Sequence, residues 1–390
     1  MRAYFAPCGI GLGHVARSIP IAKALQNKGA EVLFSTYGQA INHARSEGFP
    51  THSAPPISYA VEANGTVDFR STTAFPGIFS SFIFLRQTQA EISYMKGFKP
   101  DIVVVDSRVS PIIASWLLGI PRILLLNQFY VIIPRRKRFL RLAKLVDNGT
   151  LTLIGRVWAS SNAVLIVDFP PPYTLSLPNL RIPPRYKRRT KLIGPIIPVH
   201  PEELPDKVSI RRKLGFDPHK PLIYAPISGQ PKEKAFVSGL LYQIFTNFPP
   251  KYAIVMSLGY PGASLEPIVK RNLTIYRWTN LYYELVKACD VMVTRAGHGT
   301  LSVAMCYGKP AVTIPVPNHT EQLGNARRAE EIGFAKIVPQ ELLTLEKLLF
   351  TVEEIVNDDS ILSKVERIQR DVSKFNAIQT AVEVIQTIIK

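Results

Sequence analysis

Short apolar runs alternate with amphipathic segments over most of this 390-residue chain. That rhythm constrains the fold more than any other property, because a strand apolar along its whole length must be covered on both faces. Arg2–Ala6, Glu31–Ser35, Asp101–Val105, Arg122–Leu126 and Val164–Val167 read as strands, with helices over Arg17–Lys28 and Pro111–Leu118 among them. A second series starts at Leu222–Pro226 and continues through Tyr252–Met256, Leu273–Tyr276, Val291–Val293 and Ala311–Ile314. Its helices fall over Lys234–Phe248, Tyr282–Ala288, Thr300–Tyr307 and Thr320–Glu331. Between the series, Arg181–Lys207 is rich in Pro and Lys/Arg and reads as a linker, while the tail Ile361–Lys390 is helical with no strand to follow. The pattern predicts an α/β chain of two doubly wound domains with parallel sheets, joined near residue 200.

Charge divides the chain differently. The 47 Lys+Arg and 29 Asp+Glu give a net +18, and residues 1–199 hold 24 of the former and 9 of the latter, a net of +15. The remainder holds 23 and 20, a net of +3. The first half is therefore expected to meet an anionic partner: nucleic acid, an anionic membrane surface or a phosphate-bearing substrate. At 46% hydrophobic residues the chain is not disordered. Cys8, Cys289 and Cys306 are far apart and form no C-x-x-C, which argues against a disulfide framework and for a reducing compartment. The most apolar stretch, Pro111–Pro134, is interrupted by Pro121 and Arg122 and splits into a helix and a strand rather than a membrane span. Met1–Ala6 runs into a glycine loop without a secretory h-region, so a cytoplasmic location is expected.

Two strand–glycine–helix junctions carry the chemistry. The first, Cys8-Gly9-Ile10-Gly11-Leu12-Gly13-His14, lets the backbone approach a ligand and offers helix N-terminal amides to an anion. A dinucleotide fingerprint needs an acidic residue after strand two, and Phe34-Ser35-Thr36-Tyr37 has none, which disfavours NAD(H). His14, at the helix start, suits a general base or a structural cap. Asp106 ends a strand of the same sheet, so both side chains reach one rim, where the carboxylate can orient the imidazole or cap a loop. The second junction runs from Val293 through Arg295, Gly297, His298, Gly299 and Thr300, and Glu321-Gln322 follow the next strand. Free amides at such a helix start suit a diphosphate, and a carboxylate beside an amide suits sugar hydroxyls.

Taken in order, these segments resemble glycosyltransferases of the two-domain GT-B architecture, within the UDP-glycosyltransferase and MurG-like group (glycosyltransferase families 1 and 28). The resemblance covers most of the chain: the G-x-G-x-G-H loop, Pro100-Asp101 to Asp106 followed by Leu118-Gly119-Ile120-Pro121, Gly194-Pro195, and the block Trp278–Ala326. It implies an inverting transfer of a sugar from a nucleotide-sugar donor, a UDP-sugar by analogy, to an acceptor hydroxyl, with no cofactor and no metal. No HxH, HExxH or Asp-x-Asp cluster argues otherwise. By resemblance His14 is the base and Asp106 its orienting partner. Gly13, Ser228, Gly229, Arg295, Gly297, His298, Gly299 and Thr300 bind the donor diphosphate. Trp278 and Val303 flank the nucleoside, and Glu321 and Gln322 hold the donor sugar. Trp278 stands one residue nearer Gly297 than in the plant signature, and Val303 occupies the place where many members carry a ribose-binding Glu.

The implied organisation is an acceptor domain over 1–199, a nucleotide-sugar domain over 200–370, and a closing helix over 371–390 that packs back on the first domain. The donor site falls in the nearly neutral half, which leaves the basic half for the acceptor. Arg135, Arg136, Lys137, Arg138, Phe139, Arg141 and Lys144 interleave charge with apolar side chains after Phe129–Ile133, a composition suited to anionic headgroups. A second cluster, Arg185–Arg189, precedes the linker. A lipid-linked or glycolipid acceptor is expected, with the protein peripheral on the inner face of the cell membrane. The other readings are a soluble acceptor, a nucleotide-sugar epimerase of the same fold, a catalytically silent partner subunit, and a nucleic-acid binder. The last lacks any RRM, KH, zinc or helix-turn-helix signature.

Overall fold

The computed structural model describes residues 1–56, 78–128, 154–180 and 182–390. Its first sheet contains β1 (Arg2–Pro7), β2 (Glu31–Thr36), β3 (Thr51–Ser53), β4 (Ile102–Asp106), β5 (Arg122–Leu126), β6 (Ala163–Ile166) and β7 (Thr190–Leu192), in the order β3-β2-β1-β4-β5-β6-β7. The pairings are parallel. β4 and β5 are buried along their whole length, as a run such as Ile102-Val103-Val104-Val105 requires. Helices α1 (Gly13–Gln26), α2 (Gln39–Ser46), α3 (Ile78–Phe98) and α4 (Ser110–Leu117) cover its two faces.

The second sheet repeats the plan with β8 (Leu222–Pro226), β9 (Ala253–Ser257), β10 (Ile268–Lys270), β11 (Leu273–Tyr276), β12 (Val291–Thr294), β13 (Ala311–Thr313) and β14 (Ala335–Ile337). The order is β10-β11-β9-β8-β12-β13-β14, parallel except for the β10–β11 hairpin. Its helices are α5 (Lys207–Lys213), α6 (Pro231–Phe245), α7 (Tyr282–Ala288), α8 (His298–Cys306), α9 (Thr320–Ile332), α10 (Leu345–Val356) and α11 (Asp359–Val372). In each sheet the winding reverses direction at one point, between β1 and β4 and between β8 and β12. Loops leaving the carboxyl ends of strands diverge there and open a crevice.

Two segments join the halves. Val365, Ile368 and Val372 of α11 pack into the core of the second sheet. The chain then breaks, Asn376 Oδ1 accepts the Gln379 amide at 2.9 Å, and α12 (Ala377–Ile389) begins. Ala377, Ala381, Val382 and Ile385 line one stripe of α12 and enter the core of the first sheet beside Val15, Ile19 and Ala22 of α1. The stretch read as a linker is partly structural, because Thr190–Leu192 forms the edge strand β7. Three further short edge strands, β3, β10 and β14, carry no apolar run long enough to signal them. α3 also escapes the sequence reading, since aromatic and β-branched residues crowd its first turns. Among the described residues no helix is long and apolar enough to cross a membrane.

Gly194, just past β7, has φ +86°, and a Cβ there would sit 2.8 Å from Cβ of Phe375 in the α11–α12 crossing. Gly194→Ala therefore combines a left-handed backbone with a steric clash, and should cost about 1–3 kcal/mol in urea unfolding relative to the wild type.

Candidate functional site

The first crevice is built by the loop after β1. Cys8 N–H donates to the Asp106 carbonyl at 3.0 Å, tying the loop to the end of β4. A Cβ on Gly9 would lie 2.1 Å from the Tyr37 carbonyl oxygen, so only glycine fits between these two turns. α1 then opens, and His14 in its first turn places Nδ1 2.8 Å from Asp106 Oδ1. Arg17, one turn further along α1, grips the same carboxylate in a fork: Nε donates to Oδ2 and Nη2 to Oδ1, each at 2.5 Å. Ser107 Oγ donates to Oδ1 at 2.9 Å, and Ser107 adopts a left-handed φ of +61°. Burial alone would raise the Asp106 carboxyl, but the charge of Arg17 and then that of His14 outweigh it and hold it well below the usual carboxylate range. Asp106 is buried while the His14 side chain keeps 24% of its surface exposed, so the imidazole is the accessible end of the unit.

The second crevice lies between Ser228-Gly229, after β8, and Gly297-His298-Gly299-Thr300, after β12. Ser228 Oγ comes within 3.9 Å of where a Gly297 Cβ would stand, so the two loops adjoin. Gly229 has φ +126° with the Glu233 carboxylate close behind it. Gly297 is the N-cap of α8 and provides no side-chain cap, which leaves the first amides of the helix to a ligand. Gly13, Ser228 and Gly299 are exposed, and Thr300 is half-buried.

Four side chains are placed differently from expectation. Arg295 is 1% exposed and its Nη1 donates to Gln340 Oε1 at 2.9 Å, so its guanidinium is sealed beneath the turn, where burial lowers its pKa to about 10. His298 is turned into the protein with Nε2 3.2 Å from Asp168 Oδ2, at ion-pair distance but not aligned as a hydrogen bond. The side chains of Arg295 and His298 are therefore withdrawn from the crevice. Trp278 meets His43 of α2 edge-on at 6.0 Å between ring centres, a contact between the halves rather than an open stacking platform. Val303 is buried in the core on α8 and has no polar group for a ribose.

Across the cleft, Glu321 in the first turn of α9 accepts from Asn127 Nδ2 at 2.8 Å and from Gln128 Nε2 at 3.4 Å, both in the loop after β5. Gln322 Oε1 instead accepts the Val316 amide at 2.9 Å and fixes the loop before α9. Buried Asn325 donates from Nδ2 to the Ala296 carbonyl at 3.3 Å, holding a residue at φ +59°. Sequence reasoning missed Arg17, Asn127, Gln128, Asp168 and Asn325. The position of Arg17 three residues after His14, on the same helix face, was a usable signal. The basic stretch Arg135–Lys144, including Phe139, and the apolar Phe129–Ile133 lie outside the described residues.

Two facing switch points, one with a His–carboxylate pair and one with a free helix N-terminus, define a GT-B protein. Residues 253–381 match the model of the glycosyltransferase family 28 C-terminal domain. A Methanosarcina acetivorans protein described as an uncharacterized glycosyltransferase is 26% identical over 93% of this chain and 92% of its own. The UDP-N-acetylglucosamine--N-acetylmuramyl-(pentapeptide) pyrophosphoryl-undecaprenol N-acetylglucosamine transferase of Caldanaerobacter subterraneus is 26% identical over 52% of this chain and 58% of its own. The crystal structure of Acinetobacter baumannii MurG superposes with a TM-score of 0.62 at 19% identity, covering 99% of each chain. These similarities support a glycosyltransferase of GT-B fold that resembles the UDP-glycosyltransferase and MurG-like group.

Asp168 accepts the amides of Phe169, Leu175 and Ser176 and the Ser176 hydroxyl, in addition to facing His298. Burial raises its carboxyl, but His298 and then Ser176 more than offset this and leave it below the usual range. A carboxyl depressed in the fold adds stability that is whole above its unfolded value near about pH 4 and is lost as pH falls through the folded value. Asp168→Asn should destabilise by about 1–3 kcal/mol at neutral pH. Its gap from wild type in urea midpoints should narrow as the pH is lowered from about 4.

Proposed function

We propose that the chain transfers a sugar with inversion from a nucleotide-sugar donor to a hydroxyl of a lipid-linked acceptor. The observation that carries this reading is the His14–Asp106 pair at the first switch point, with the imidazole as its accessible end and Glu321 of the other half near enough to act on Arg17. With Nδ1 directed at Asp106, Nε2 is left to take the proton of the acceptor hydroxyl. The acceptor oxygen attacks the anomeric carbon, the bond from that carbon to the distal phosphate oxygen breaks, and the nucleoside diphosphate leaves. Amides at the start of α8, with Ser228-Gly229, receive its charge. Glu321 holds donor hydroxyls, exchanging its bonds from Asn127 and Gln128 for bonds from sugar. In this reading residues 1–199 bind acceptor and 200–370 bind donor. A UDP donor is supported by the named activity of the Caldanaerobacter relative. His14→Ala should lower transfer by about 10²–10⁴-fold while the thermal shift given by a UDP-sugar is retained, with GDP- and dTDP-sugars as the comparison. Near-wild-type turnover would remove the base assignment.

The same relative's undecaprenol-linked substrate supports a membrane-held acceptor, and with it we infer a peripheral position on the inner face of the membrane. A second support is apolar exposure near the crevice. α3 leads down into β4, so its first turns lie toward the carboxyl edge of the sheet. There Phe82 and Leu85 are 57% and 59% exposed, with Arg86 over the Phe82 ring. Large apolar side chains beside a cation suit the interface of an anionic bilayer. Sedimentation with vesicles should show binding that grows with the phosphatidylglycerol fraction and weakens with salt. Equal recovery in the supernatant at every composition would contradict the membrane assignment.

A further inference from the structure

Arg17 is involved with both members of the His14–Asp106 pair. Its fork donates to each Asp106 oxygen at 2.5 Å, and the same Nη2 stands 3.0 Å from His14 Nδ1. These contacts favour the tautomer protonated at Nδ1, since the Nη2 that could donate to a bare Nδ1 is committed at shorter distance to Asp106 Oδ1. If Nδ1 carried its lone pair, that pair would face Asp106 Oδ1 at 2.8 Å, a repulsive contact between acceptors. With Nδ1 protonated, imidazole and guanidinium donate side by side to one carboxylate, and two donor groups are held close because the anion lies between them. Ser107 Oγ brings a third donor to Oδ1. The charged or titratable groups around this centre are Asp106 at the end of β4, Arg17 on α1, Cys8 in the loop and Glu321 on α9.

We propose that Arg17 is a positioning residue of the transfer reaction, which fixes Asp106 by a bidentate fork and so holds the His14 imidazole by its Nδ1 edge with Nε2 toward the acceptor. The proposal rests on His14 being the base. It differs from a plain His–Asp dyad in what it requires of the third residue. A fork locks the carboxylate plane, which a single point charge does not. Charge and shape can therefore be separated by two substitutions. Arg17→Lys keeps the cation and loses the fork. Arg17→Gln loses the cation and leaves the Asp106 anion beside the ring.

The test measures kcat, donor KM and the pH dependence of kcat/KM for wild type, Arg17→Lys, Arg17→Gln and His14→Ala, each verified as folded by thermal melting and by its shift with UDP. Arg17→Lys should lose about 10–100-fold in kcat with donor KM changed less than about twofold, as expected for a misplaced base. In Arg17→Gln the acidic limb of kcat/KM should also move to higher pH, because the ring then binds a proton more readily. A role confined to folding would lower the melting temperature without moving that limb. Should Arg17→Gln fail to fold, the kcat of Arg17→Lys decides. If both folded variants match wild type in kcat and limb while His14→Ala is inactive, the Arg17 assignment is wrong and the base assignment stands. If His14→Ala is itself active, both are wrong.

Discussion

One buried carboxylate, Asp168, sits where the two halves of the chain meet, and the cleft depends on it. It leaves the first sheet just after β6 and binds three backbone amides of its own loop. That loop sends Phe169 and Leu175 into the core of the second sheet. Arg328 of α9 reinforces the joint through the Thr174 and Pro172 carbonyls at 3.0 and 2.6 Å. His298, at the start of α8, is pinned to the same carboxylate. The helix whose amides face the second crevice is thus anchored to the first half of the chain. Losing this carboxylate would unseat α8 and unsatisfy a buried turn together.

The α11–α12 crossing belongs to the same joint: Gly194 N–H donates to the Asp168 carbonyl at 3.1 Å, and Phe375 meets Phe169 at 5.8 Å between ring centres. α11 belongs to the second core and α12 to the first, and the four residues between them pass Gly194 with no room for a side chain there. The cross-cleft bonds of Glu321 to Asn127 and Gln128 are lighter, since they are two amide contacts at the crevice surface.

Much of this was legible in the sequence because burial on both faces makes parallel strands nearly continuous apolar runs. The runs at Ile102–Val105 and Leu222–Pro226 announce central strands for that reason, and glycines at 9, 11, 297 and 299 announce where the chain must turn toward a ligand. Edge strands such as Thr51–Ser53 were silent because half-exposed positions accept polar residues. Side-chain direction was also silent. Arg295 and His298 occupy motif positions associated with phosphate, yet one is sealed against Gln340 and the other spans the joint to Asp168. Linear spacing identifies the turn, whereas only the packed neighbours decide which atoms of it face the cleft. Arg17 illustrates the converse, a residue outside the loop motif that the helix period brings onto its carboxylate.

The charge asymmetry takes on a sharper meaning once pairing is counted. In the first half, Asp106 is spent on Arg17, Glu91 on Arg108, Glu31 on Arg2 and Glu47 on Lys23. Asp168 is consumed inside the joint. These acids are therefore neutralised locally, two of the pairs in the interior, and they do little to screen the remaining lysines and arginines. Lys187, Arg188 and Arg189 are all exposed beside β7. The net positive charge of the first half therefore rests on unpaired cations such as these, and its field extends about one Debye length into solution. A nucleotide-sugar held by backbone amides of the second half needs little of that field. An acceptor carrying phosphate at an anionic surface would be drawn by it toward the rim where His14 is exposed, so attraction and the proposed chemistry act on the same partner from the same side.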